Sequence, residues 1–460
     1  MLNNLWPVLL QFRHIFIHHT SFLWFCTIVI GLAGGCDDIG GITSIARNLQ
    51  MTERGYWGIL RFFSTHANKL STIQGVWLSL TMRHFDTAVK IAGRTLVTTD
   101  STKTAKQGRK MPAIIGLKDT SNDCWMRGHQ FEQLCLLVQG AKKLFPVPLV
   151  ATLLTGINDE KSLAERCTEF LLRFPELHGC LLVGDAWYSK SKIIIELARR
   201  GSIAMVSRLA HNAVGHEIYI PNPFVPAKKG RKRKYGKKIK LSELFERPME
   251  SWTLHDNNRN PMVVQGWCYD LLWKPLKMMV RFVGIEHPDK GRMILISSDV
   301  TMKPTDIAQA YVYRFWIEVS FHIAKSLIGS FTYRFWLKSM DRLGSFPEEI
   351  RLSELPVNVA QSIVEKIRSI ELFVCCACIA QGLLVYLSIH HADMVAAKAR
   401  FWMRTKRGGI AGERVSAAYV KLSLWNLSKT KANSCPLEKF IAERQSWTSL
   451  HEDISENVAC

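Results

Sequence analysis

Acidic residues are scarce in this chain. Asp and Glu together number 39 against 60 Lys and Arg, a formal charge of +21 and an isoelectric point near 9.5. Such an excess excludes a polycationic partner and favours a polyanion, either nucleic acid or an anionic membrane surface. Long apolar runs are also few. The stretch "FLWFCTIVIGLAGG", residues 22–35, is shorter than the ~20 residues of a spanning helix. It lacks the form of a signal peptide, because a long segment with His14, His18 and His19 precedes it and "LAGGC" has no Leu three before the Cys. The stretch "LFVCCACIAQGLLVYLSI", residues 372–389, reaches spanning length but contains Gln381 and Gly382, and is expected to be a buried core helix. No membrane span and no secretion are therefore expected. The 12 cysteines are scattered, several inside apolar runs where Cys acts as a small hydrophobe, so no disulfide framework is expected and a reducing cytoplasm fits. Cys375 and Cys378 have C-x-x-C spacing with His390 and His391 beyond, but adjacent histidines and an apolar helix make a poor zinc site. Repeats and long low-complexity tracts are missing, which excludes solenoids and arrays.

What is present is an ordinary globular composition, 47% hydrophobic and 22% charged over 460 residues, enough for two to four domains with a sizeable core. Residues 1–90 read as helical. "SIARNLQ" and "YWGILRFF" flank residues 51–55 as a candidate helix-turn-helix, with Thr52 able to cap the second helix. From Arg94 the period changes. "RTLVTTD", "FEQLCLLVQG" and "PVPLVATLLTG" read as strands, residues 160–174 as a helix and "CLLVGD" as a short buried strand. "SKIIIELARR" follows as a helix capped by Ser189 and ended by Gly201, then "IAMVSR" as a fifth strand. The predicted order is β-β-β-α-β-α-β. Residues 218–300 then form a β-rich insertion holding a basic loop and the strands "MVVQGWCYDLLW", "LKMMVRFVGIE" and "RMILISSD".

Beyond the insertion lies "YVYRFWIEVSFHIAK", residues 311–325. At roughly 100° per residue, Tyr311, Arg314, Glu318 and Lys325 fall within a strip about 60° wide, while Val312, Trp316, Val319 and Ile323 take the other side. A tyrosine, a carboxylate and two cations are thus aligned on one face. Asp100 ends the first predicted strand and Asp185 the fourth. Where those strands are neighbours, both carboxylates emerge at one edge, and a helix packed on the sheet can bring Glu318 to them. Like charges that close repel, and a divalent cation relieves the repulsion while leaving positions for water and phosphate oxygens.

The order Asp100, Asp185, Glu318, with Tyr-x2-Arg-x3-Glu-x6-Lys intact from Tyr311 to Lys325, resembles the DDE transposases of bacterial insertion sequences, in the group named for its Y-R-E-K signature. "TTDSTKTAKQGRKMP", "GDAWYSK", "GRKRKYGKKIKL" and "YRFWIEVSFHIAK…YRFWLKSM" are similar to segments of that group, so the likeness spans most of the chain. The resemblance implies an α/β fold: an RNase H-like mixed sheet flanked by helices, interrupted by a β-rich insertion, with a helical N-terminal domain. The implied division is a helical region 1–90 able to bind DNA, catalytic core at 91–217 and 301–399, the insertion at 218–300, and an oligomerising tail at 400–460. It implies Asp100, Asp185 and Glu318 as ligands of Mg²⁺ or Mn²⁺, two ions in all, with Tyr311, Arg314 and Lys325 on DNA phosphates. The implied partner is double-stranded DNA, both transposon ends and target, bound by a homodimer in the bacterial cytoplasm at the nucleoid. An RNase H-like nuclease without strand transfer, or a decayed copy that only binds DNA, is the alternative.

Further cations sit where this reading needs them. Lys103, Lys106, Arg109 and Lys110 follow the first Asp as a phosphate-gripping loop. "KKGRKRKYGKKIK" holds nine cations among thirteen residues, Lys228, Lys229, Arg231, Lys232, Arg233 and Lys234 among them, and reads as a DNA arm. Asp119 or Asp123 could replace Asp100 as first carboxylate. His322 reads as a helix-surface residue. Trp187, Trp267 and Trp273 are candidates for stacking on an unpaired base, each against a core role.

Overall fold

In the computed structural model, residues 2–36, 40–119, 123–141, 143–221, 224, 232–398, 411–425 and 435–445 are described. As the composition of residues 1–90 dictates, the chain opens with helices: α1 Leu2–Leu10, α2 His19–Ala33, α3 Ile42–Asn48, α4 Glu53–Thr65 and α5 Leu70–His84. Thr52 caps α4, its hydroxyl accepting from the Gly55 amide at 3.2 Å, as its position predicts. The β-branched run after Arg94 becomes the long strand β2 Arg94–Ala105, preceded by the short β1 Lys90–Ile91. Strands β3 Ile115–Asp119, β4 Cys124–Gln139 and β5 Leu144–Leu153 follow, then α6 Leu163–Leu172, β6 Leu181–Gly184, α7 Ser191–Gly201 and β7 Ala204–Leu209. The predicted order holds apart from two short additions, the two-residue β1 and β3, whose five residues Ile-Gly-Leu-Lys-Asp are broken by Gly116 and show no strong alternation.

Helix α6 starts at a reciprocal cap between Ser162 and Glu165. The start of α7 differs from the predicted one. Lys190 is its N-cap, because the Ser189 hydroxyl is turned back to the Ala186 carbonyl at 2.7 Å. Gly201 lies inside the helix, and Ser202 adopts the left-handed conformation that ends it.

Sheet pairing places β2 beside β6 in parallel and β6 beside β7 in parallel, while β4 joins β2, and β5 joins β4, antiparallel. The remaining strands are β8 Val214–Ile218, β9 Tyr235–Lys240, β10 Glu250–His255, β11 Pro261–Trp273, β12 Met278–His287 and β13 Gly291–Ser297. They are antiparallel, as expected. They also continue the same sheet, since β13 pairs with β7 and the order runs on through β12, β11, β8 and β9. Burial accounts for this: Met293–Ser297 of β13 is a continuous buried run, which needs neighbours on both edges and cover on both faces.

The signature segment is helical in two pieces rather than one. α8 Pro304–Tyr313 and α9 Trp316–Ile323 are separated at Arg314 and Phe315, where i→i+3 bonds tighten the turn, and a π-helical turn, Ala324–Ile328, completes the segment. Opposite faces of β4 meet different helices. Cys135 clusters with Ile317 and Phe321 of α9, whereas residue 132, of opposite parity, lies toward α6 and the turn after β6.

The apolar run at 372–389 lies in α10 Val357–His390, among the described residues the one helix long and apolar enough to cross a membrane, with 89% of its apolar window buried inside the protein. Cys375 and Cys378 are packed in its core face, and no disulfide forms among the described residues. Around α10 lie α2, α4, α5, α11 Ala392–Lys398 and α12 Glu413–Trp425, with α13 Pro436–Ala442 against α2. The described part of the tail is thus committed to its own chain: Val420, Leu424, Leu437 and Ile441 are completely buried.

Candidate functional site

Asp100 and Asp185 stand at the parallel β2–β6 junction, where the chain direction brings both carboxylates to one end of the sheet. Gln133 of β4 is the cross-strand partner of Asp100, so the Asp100 side chain lies on the α9 face. There the Arg314 guanidinium meets it, Nη1 to Oδ2 at 2.8 Å, and with Nη2 reaches Oε1 of Glu318 at 2.7 Å. Asp185 follows β6 directly and caps the turn Ala186–Ser189, its Oδ1 accepting from the Trp187 amide at 2.8 Å. Its carbonyl accepts from the Ser207 hydroxyl of β7 at 2.5 Å. Asp100 and Asp185 line one cavity of about 60 Å³ with Ser101, Gln130, Glu132, Trp187 and Tyr188. Asp100 and Asp185 thus share one cavity, and Glu318 is linked to Asp100 through Arg314.

Electrostatics agrees with this convergence. Burial pushes the Asp100 carboxyl up to about 6, Arg314 opposes the rise and Asp185 adds to it. Burial works against the Arg314 charge, yet Asp100, Tyr311, Glu318 and Asp185 together raise its pKa. Tyr311 is pushed up by burial, while Arg314 and Arg208 oppose the shift. Arg208, exposed on β7, is a cation beside the site that its place in an apolar strand motif concealed.

Lys325 donates to the Lys103 carbonyl at 3.2 Å, and burial lowers its pKa while Asp119 raises it. Lys325 and Lys103 thus extend the cationic margin on the far side of Glu318. Arg109 is exposed. Lys106 departs from the expected phosphate grip. It is buried, its Nζ bonded to the carbonyls of Phe331 and Tyr333 and lying 3.7 Å from the Tyr333 ring centroid, and burial pulls its pKa down to about 7. Of the alternative first carboxylates, Asp119 lies at the end of β3 beside Lys325, and Asp123 pairs with Lys118 at 3.0 Å on the surface. His322 is on the exposed helix surface as expected.

Lys228, Lys229 and Arg231 lie outside the described residues. Lys232, Arg233 and Lys234 are exposed just before β9, at the edge of the sheet seven strands from β2 in the pairing order, roughly 34 Å along the sheet at the usual spacing. Among the tryptophans, Trp267 and Trp273 are buried at 4% and 9% exposure. Trp187 alone of the three lines the acidic cavity, with the Lys190 ammonium 4.0 Å from its ring centroid.

Sequence reading missed Glu132. Its Oε1 accepts from the Thr99 hydroxyl at 2.6 Å and the Tyr188 hydroxyl at 2.5 Å, and burial pushes its carboxyl up to about 8, against those two bonds. The available signal was a Glu inside the apolar run "FEQLCLLV", where a carboxyl is costly without partners.

Asp100, Asp185 and Glu318 offer oxygen donors only, the set that Mg²⁺ and Mn²⁺ accept. Among the described residues no three His, Cys, Asp or Glu side chains form a ready cation cage, and the Arg314 guanidinium lies between Asp100 and Glu318. Two of the three acids sharing one cavity fits a divalent cation nonetheless, since a cation offsets both the burial of the Asp100 charge and the smaller repulsion from Asp185. A second surface lies on the helical region. An open groove of about 840 Å³ between α2, α4 and α13 is lined by Arg54, Arg61, Arg444, His18 and His66, with Trp57 on its rim. Neither a protein-family model nor a curated protein matches the chain.

Proposed function

We propose that the chain is a DNA transposase of the DDE type, cleaving a phosphodiester at the ends of its element and joining the freed 3′ hydroxyl to target DNA. The observation that carries this reading is the meeting of Asp100 and Glu318 on Arg314 beside the cavity that Asp100 shares with Asp185. The sheet order supports an RNase H-like core, with β5, β4 and β2 antiparallel and β2, β6 and β7 parallel.

Asp100 and Asp185, with Glu318, would hold Mg²⁺ or Mn²⁺. Bound there, the cations supply an activated water and stabilise the leaving oxygen of an in-line displacement at phosphorus. Arg314 presents its guanidinium where a phosphate next to the scissile bond would lie, and Tyr311, Arg208, Lys325 and Lys103 continue the anion-binding margin. The α4 groove, with Arg54, Arg61 and Arg444, and the basic segment before β9 would contact duplex DNA away from the chemistry, giving the long footprint that a charge of +21 permits. Two element ends must be joined at once, so the acting form would be a homodimer on DNA.

Cleavage and strand transfer with Mg²⁺ or Mn²⁺, on any inverted repeats found in the DNA that flanks the coding region, test the reading. Asp185→Asn and Glu318→Gln should reduce both reactions to the level of a metal-free control while end binding persists. Retained cleavage in either variant would end the proposal. Cleavage without joining of pre-cut ends would identify a nuclease.

A further inference from the structure

Glu132 and Gln133 are consecutive on β4 and the only charged or amide side chains in the buried run "FEQLCLLV". Successive strand residues point to opposite faces, so the two reach into different halves of the molecule. Both are more than nine-tenths buried, at 3% and 1% exposure. Leu or Val at either place would pack the same strand without the cost of burying polar atoms, so their presence asks for a use.

Each ends next to a different candidate acid. On one face a single oxygen of Glu132 accepts from Thr99, immediately before Asp100, and from Tyr188, three residues after Asp185. On the other face Gln133 is the ladder partner of Asp100 and its Nε2 donates to the Ser320 hydroxyl at 3.0 Å, two residues after Glu318. The Gln381 amide of α10 donates to that same hydroxyl at 3.3 Å, which ties α9 to the central helix.

We propose that Glu132 and Gln133 are positioning residues, Glu132 setting the distance between Asp100 and Asp185 and Gln133 the distance between Asp100 and Glu318. One strand gauges both separations because its alternation sends one side chain to the turn after β6 and the next to α9. The inference rests on the proposed metal site, and it assigns residues that lie outside the acidic triad and the signature segment.

The test is Mn²⁺ binding to the full-length protein, followed by electron paramagnetic resonance, with thermal unfolding measured on the same samples. Displacing a group that orients metal ligands costs roughly 10–100-fold in affinity. Glu132→Leu and Ser320→Ala are expected to weaken Mn²⁺ binding by at least about tenfold, and Glu132→Gln, which keeps an acceptor oxygen, to restore it. Thr99→Val and Tyr188→Phe should be non-additive, because both bonds end on one oxygen. A purely structural role would lower the unfolding temperature and leave the Mn²⁺ affinity of the folded protein unchanged. Should Glu132→Leu not fold, Tyr188→Phe and Ser320→Ala carry the same test. Wild-type affinity in the folded variants, with binding lost in Asp185→Asn, would overturn this inference and leave the proposed function standing. Absence of Mn²⁺ binding in the wild type would overturn both.

Discussion

Arg314 donates to Asp100 across 214 positions of sequence, Nη1 to Oδ2 at 2.8 Å. The same guanidinium holds Glu318, so a residue of the signature segment joins the first strand's acid to the helix's acid.

Removing that bridge has a defined cost. Arg314→Ala leaves a largely buried carboxylate without its partner, and stability should fall by about 1–3 kcal/mol, read from urea denaturation. The Asp100 carboxyl, no longer opposed by the guanidinium, should titrate above its present value of about 6. Arg314→Lys keeps the charge but loses the two-pronged geometry, and should restore part of the stability without restoring DNA cleavage.

Stability should also depend on pH through Glu132. Its folded pKa, about 8, lies above the ordinary value for a glutamate, so the native state binds the extra proton. That contribution is complete below about pH 4.3 and is lost as pH rises through about 8. Thermal unfolding measured from pH 5 to 7, below the window in which Lys106 acts, should show a falling transition temperature, and Glu132→Gln should flatten the slope. An unchanged slope in that variant would assign the pH dependence elsewhere.

Lys106 should behave in the opposite sense. Its folded pKa of about 7 lies below that of a free lysine, so the unfolded chain holds more protons between about pH 7 and 10.4 and stability rises with pH across that window. Lys106→Met should abolish this rise. Since Lys106 is buried on the Phe331 and Tyr333 carbonyls, the same variant should leave the salt dependence of DNA binding untouched.

Half-buried Lys103 and exposed Arg109 should show the reverse pattern. Lys103→Ala and Arg109→Ala are each expected to reduce the slope of log affinity against log salt by about one, with little change in sequence preference. Fluorescence anisotropy over a salt series measures this directly. A slope equal to that of the wild type would remove those residues from the DNA path.

Much of this organisation was legible in the linear pattern. The β-branched strands, the Thr52 cap and the burial of the run at 372–389 follow from local rules, because side-chain period and capping chemistry act over a few residues, whereas the parallel pairing of the strands that carry Asp100 and Asp185 entered the sequence reading only as a condition. The alignment of Tyr311, Arg314, Glu318 and Lys325 was readable for the same reason, although the tightening at Arg314 and Phe315 was not, since a helix breaks there without proline or glycine.

What only tertiary structure decided is where distant groups meet. Lys106 and Lys103 look alike in sequence, three residues apart in one basic segment, yet Lys106 is buried on the carbonyls of Phe331 and Tyr333 while Lys103, half-buried, donates to the Lys118 carbonyl at the margin of the site. Glu132 and Gln133 sit in a run that reads as plain core, and their partners Thr99, Tyr188 and Ser320 come from three other elements. Composition and periodicity determine which faces are apolar and which ends of strands carry acids. Which buried polar atom finds which partner depends on packing the whole sheet, because burial makes an unmatched hydrogen bond costly and leaves the fold to supply the match.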